Sequence, residues 1–221
     1  MTRLLTIVAL LAAPASVRAL AASAKSMRSA ARELATVGGD VRLAGESIIN
    51  FARAAGDVRF RQTTLSASGL NLARAGRDLE DAGAAGRVSP GIAGEVAAMR
   101  IGDAALNLGL ASEWPCDGPG ECDAPRVTAG LAFASAELEK ASQAFYTRDL
   151  ELAGARLTGC GEGLETAATA IEGAGGAAME ISTAARSLAS GGALMRQLGG
   201  FFSGDLDEGD LTKKKTRWSP N

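Results

Sequence analysis

Large aliphatic residues recur every seven positions in five stretches of this chain, each beside a second series of small residues. Met27, Leu34, Val41, Ile48 and Ala55 run with Ala31, Gly38, Gly45 and Ala52. Leu65, Leu72 and Leu79 run with Gly69, Gly76 and Gly83, and Ile92, Met99 and Leu106 with Ala97, Ala104 and Ala111. Leu131, Leu138 and Phe145 accompany Ala134 and Ala141. Leu150, Leu157, Leu164 and Ile171 accompany Ala153, Cys160, Ala167 and Ala174, and the pattern continues as Ile181, Leu188 and Met195. A seven-residue apolar repeat keeps one seam of a helix turned toward a neighbour and implies left-handed packing near +20°. No strand-like alternation of four or more residues competes with it. The spacing predicts an all-α fold, an antiparallel bundle of five to six helices with Ala/Gly-rich heptad seams.

The small series says how closely those helices lie. Glycine inside a helix costs up to about 1 kcal/mol of propensity. Recurrence at a seam position therefore implies close backbone approach, with dispersion between main chains as the return. Composition agrees, with 28 Gly and only 4% aromatic residues. Prolines are absent from 15–89 and from 126–219, which permits long helices there. Expected stops are Gly56-Asp57, Gly83 to Gly86, Gly173 to Gly176 and Gly199-Gly200; Ser89-Pro90 and Asp123-Ala124-Pro125 read as helix starts.

At the N-terminus, Arg3 precedes the apolar run Leu4 to Ala13, Pro14 breaks it, and small-x-small sites follow at residues 17–19 and 19–21. Residues 1–21 therefore read as a cleavable signal peptide, the alternative being a buried first helix. The run is too short to span a bilayer, so no transmembrane helix is expected after cleavage. Residues 22–32 carry Lys25, Arg28, Arg32 and three serines but no acid, the composition of a plastid transit peptide; Met27 and Ala31 also begin the first heptad series. Secretion is the expected route, with plastid import by signal plus transit peptide as the alternative. Residues 22–200 form the expected bundle domain, interrupted by a Pro/Gly/Cys hinge at 114–125. Residues 201–221 form the expected flexible charged tail.

Cys116 and Cys122 flank Asp-Gly-Pro-Gly-Glu in that hinge and read as a local disulfide in an exported protein. Zinc needs further ligands, and the chain has no histidine. Asp117, Glu121 and Asp123 alternate as in a calcium loop, but Cys122 and Thr128 stand where Gly and a bidentate Glu are required. Cys160 lies in a small-residue heptad position and reads as a buried thiol. Gly159-Cys-Gly161-Glu-Gly163 lacks the strand and spacing of a phosphate loop. In the tail, Phe201, Phe202 or Trp218 is a candidate anchor, with Lys213, Lys214 and Lys215 finding an acidic or lipid surface.

Without histidine the commonest general base and metal ligand are missing, and no pair of carboxylates stands out. No catalytic, cofactor or metal site is expected. A net charge of −2 without a basic stripe gives no reason to expect nucleic acid. The expected function is a non-catalytic structural or interaction module, docking on a protein partner or membrane complex. Architecture alone makes it similar to the extrinsic subunits of plastid photosynthetic complexes, one alternative. A lipid- or small apolar ligand-binding protein with peripheral membrane contact is another.

Overall fold

The proline-free stretches become the longest helices. A computed structural model describes residues 15–54, 59–88, 92–114, 123–174 and 178–205. They form six α-helices: α1 (Ala15–Ala54), α2 (Arg59–Val88), α3 (Ile92–Ala111), α4 (Ala124–Thr147), α5 (Leu150–Ala174) and α6 (Met179–Ser203). No strand occurs among the described residues. Each helix packs on the helices before and after it in the chain, and α6 packs on α1. The bundle therefore closes into a ring of antiparallel neighbours.

One continuous apolar core draws on all six helices, with Ile48, Leu79, Leu108, Leu138, Leu164 and Leu188 sealed from solvent. Each such side chain stabilises the fold by roughly 1.5–3 kcal/mol. Small residues occupy the seams. On α1 and α2, a Cβ added to Gly38 would lie 2.5 Å from the Gly76 carbonyl oxygen, and one added to Gly45 would lie 2.5 Å from that of Gly69. The same geometry joins α5 to α6, where a Cβ on Gly161 would meet the Gly192 carbonyl oxygen at 2.5 Å. It joins α4 to α5 through Gly130 and Gly163. These main chains nearly touch.

The other expected heptad series hold through the middle of their helices, but the large series of α3 is corrected. Met99 and Leu106 are 57% and 66% exposed, while Ile101 and Leu108 fill the core. Two apolar heptads interleave on α3. The seam goes to the one bordered by Gly102 and Gly109, because those glycines admit the Ser142 and Ser135 side chains of α4. Met27 and Leu150, at the ends of their series, are also exposed.

Two expected stops are packing positions instead. Gly83 lies inside α2 against Ala31 and Ala35, and the helix continues to Val88. Gly199 lies against Gly154 and Thr158 of α5, and α6 continues past residue 200 to Ser203. The glycine that ends α6 is Gly204, at φ 82°, with the Asp205 N–H donating to the Gly200 carbonyl. Asp123-Ala124-Pro125 does start α4, with proline in its first turn. The α4–α5 connection is tight: Arg148 adopts the left-handed conformation at φ 62°, and Asp149 Oδ1 accepts from the Leu152 N–H at 3.0 Å.

Candidate functional site

Polar side chains that reach the seams are paired across them. Glu137 of α4 is 7% exposed and accepts from Lys140 Nζ at 2.7 Å and from an Arg156 terminal nitrogen of α5 at 3.1 Å. Burial alone would raise its carboxyl; the hydrogen bonds from Lys140 and Arg156 outweigh that and hold it below the usual range. The cluster fits against Gly159, whose missing side chain leaves room for the Glu137 methylene. Arg42 of α1 donates to Glu46 on its own helix at 2.9 Å and to Glu80 of α2 at 3.2 Å. Asn107 of α3 donates to Asp78 of α2 at 2.8 Å, and Arg100 lies 3.8 Å from the same carboxylate. At the ring closure, Ser190 Oγ of α6 donates to Asp40 of α1 at 2.7 Å.

These groups hold helices in register. Serine hydroxyls do the same between α4 and α3: Ser135 and Ser142 each donate at 2.7 Å to a helix carbonyl, those of Ala105 and Ala98. Ser68 of α2 donates to the Glu113 carbonyl at 2.9 Å, fixing the chain just after α3, where Trp114 is buried.

Cys160 is fully buried, and burial, with a smaller contribution from the Glu137 charge, pushes its thiol up to about 12. It is a core residue in the small-residue slot, not an accessible nucleophile. Gly161 and Gly163 belong to helix seams, which accounts for the glycine run around it. Among the described residues no group of three or more potential ligands is placed to hold a metal ion, and no helix is long and apolar enough to cross a membrane.

The predicted tail anchors divide. Phe201 and Phe202 lie in the last turn of α6, half-buried against the core; Phe202 packs edge-on to Phe145 at 5.1 Å and to Phe201 at 5.3 Å. They belong to the bundle rather than to a separate tail. Cys116, Cys122, Lys213, Lys214, Lys215 and Trp218 lie outside the described residues.

No protein-family model, curated protein or solved structure matches this chain. The site must be read from its own surface.

Among the described residues, that surface carries an ordered apolar stripe on α3. Val96, Met99, Leu106 and Leu110 of α3 are 39%, 57%, 66% and 44% exposed. With Asp103 between them they follow the alternating three- and four-residue steps of a heptad seam, so they form one stripe along the outer side of α3. Beside it, α4 presents exposed Ala129, Ala132 and Ala136. A large series on one helix and alanines on the next is the composition of the internal seams, here facing solvent. The heptad spacing of Met99 and Leu106 is legible in the sequence, but its outward direction is not. Gly102 and Gly109 were the available signal.

Proposed function

We propose that this protein is a non-catalytic interaction module that docks on a protein partner through the outer face of α3. The observation that carries this reading is the stripe Val96, Met99, Leu106 and Leu110, a heptad seam left exposed among the described residues. Solitary exposed apolar residues are ordinary on a soluble surface, whereas a contiguous stripe marks a contact. The buried carboxylate of Glu137 is held by Lys140 and Arg156, and the thiol of Cys160 is sealed.

Delivery across a membrane by residues 1–21 belongs to the same proposal, with secretion or plastid import as the destination. A Cys116–Cys122 disulfide would then tie the α3–α4 connection in an oxidising compartment. The extrinsic-subunit reading is the version of this proposal in which the partner is a membrane complex.

The experiment is to express the full-length protein in its source cells with Met99→Glu and Leu106→Glu together, and to compare native assembly size with wild type. Both positions are more than half exposed, so the variant should keep its helicity and melting temperature. Loss of a larger assembly with the fold intact supports docking through α3. An unchanged assembly, or a wild type that is monomeric in its own compartment, overturns it.

A further inference from the structure

The charges around the α3 stripe are unequal. Glu95 and Glu113 are exposed at its two ends, and Asp103 interrupts its centre with its side chain 48% exposed. Glu139 is exposed on α4, in the turn between Ser135 and Ser142, the two residues whose hydroxyls donate to α3 carbonyls. The nearby cations are already engaged. Arg100 lies 3.4 Å from Asp103 and 3.8 Å from Asp78, and Lys140 is 2.7 Å from Glu137. Arg100 offsets Asp103 and Lys140 offsets Glu137, so among the described residues the acids of this region without an ion-pair partner are Glu95, Glu113 and Glu139.

From this juxtaposition we infer that the α3–α4 face receives a cationic amphipathic helix, one with an apolar heptad stripe flanked by Lys or Arg. The inference rests on the docking role proposed above and names its partner's chemistry. Leu106, Met99 and Leu110 supply the large side of the seam, and Ala132 and Ala136 let the incoming helix settle close to α4. Basic residues flanking its stripe would meet Glu95 and Glu139. A second copy of this chain presenting the same face would set carboxylate rim against carboxylate rim, and an anionic bilayer would meet the same repulsion. Charge complementarity thus selects the cationic helix over both.

The test uses the full chain and two fluorescent three-heptad peptides with the same leucine stripe, one flanked by Lys and the other by Glu. Anisotropy at low salt should show the Lys peptide binding at least about tenfold more tightly, and added salt should narrow the gap. Leu106→Glu should abolish binding of both peptides. Glu95→Lys with Glu139→Lys should reverse the preference while leaving the melting temperature unchanged. Equal affinity for the two peptides, binding of neither, self-association through this face in sedimentation, or adsorption to phosphatidylglycerol vesicles with no peptide preference would each overturn the inference. If the charge preference fails while Met99→Glu with Leu106→Glu still dissolves the cellular assembly, only the partner's chemistry falls. If that assembly is unaffected, the docking role falls with it.

Discussion

Gly45 and Gly173 are both helical glycines with opposite consequences for substitution. A Cβ on Gly45 would press on Ala73 and the Gly69 carbonyl of α2, main-chain atoms that cannot move without separating the helices. A Cβ on Gly173 would find nothing within 4 Å. Gly45→Ala should therefore destabilise by about 1–3 kcal/mol despite alanine's better helix propensity. Gly173→Ala should stabilise by about 0.5–1 kcal/mol. Urea unfolding of the two variants measures both; similar effects in the two would contradict the close-packed seam. The heptad position of Gly45 announces its role, and Gly173 stands outside the small-residue series. By contrast, the Gly83 to Gly86 run resembles a stop and is not one, because propensity at a single glycine is worth less than the packing it permits against Ala31 and Ala35.

At the scale of elements, the seam between α1 and α6 is the one that joins the ends of the chain. It depends on Gly191, set against Asp40, Val41 and the Val37 carbonyl, and on the Ser190–Asp40 hydrogen bond. Burial pushes the Asp40 carboxyl above its ordinary range, with the Ser190 hydrogen bond opposing and not cancelling that shift. A folded-state pKa above the unfolded value means that ionised Asp40 costs the folded state at neutral pH. The cost disappears as pH falls through the folded value toward the unfolded one near 3.9. Asp40→Asn, which keeps an acceptor for Ser190, should be more stable than wild type at pH 7, and the two melting curves should converge below about pH 4. A gap that widens on acidification would show that Asp40 is stabilised as the anion. None of this is readable from the α1 heptad, since Asp40 falls between Gly38 and Val41 without any periodic mark.

For the molecule as a whole, five of the six helix interfaces join chain neighbours and only α1 with α6 is distant in sequence. The core is one cluster. If residues 1–21 are cleaved as proposed, removing them should leave a single cooperative unfolding transition within about 0.5 kcal/mol of the full chain. Calorimetry on the shortened chain checks this; a second transition, or a loss of several kcal/mol, would mean that residues 1–21 are part of the core.

The seven-residue spacing determined helix as the only regular structure, roughly where each helix lies, and that glycine and alanine line the contacts. Those are properties of one segment at a time, because periodicity and proline placement are local. The direction of the α3 stripe, the closing of α6 onto α1 and the pairing of Glu137 with Arg156 were decided only in the tertiary structure. A heptad identifies which residues share a face of a helix, but it carries no information about which helix, if any, lies across from that face. On α3 two apolar heptads competed, and the choice fell to whichever let α4 approach most closely. The loser is the surface on which the functional proposal rests.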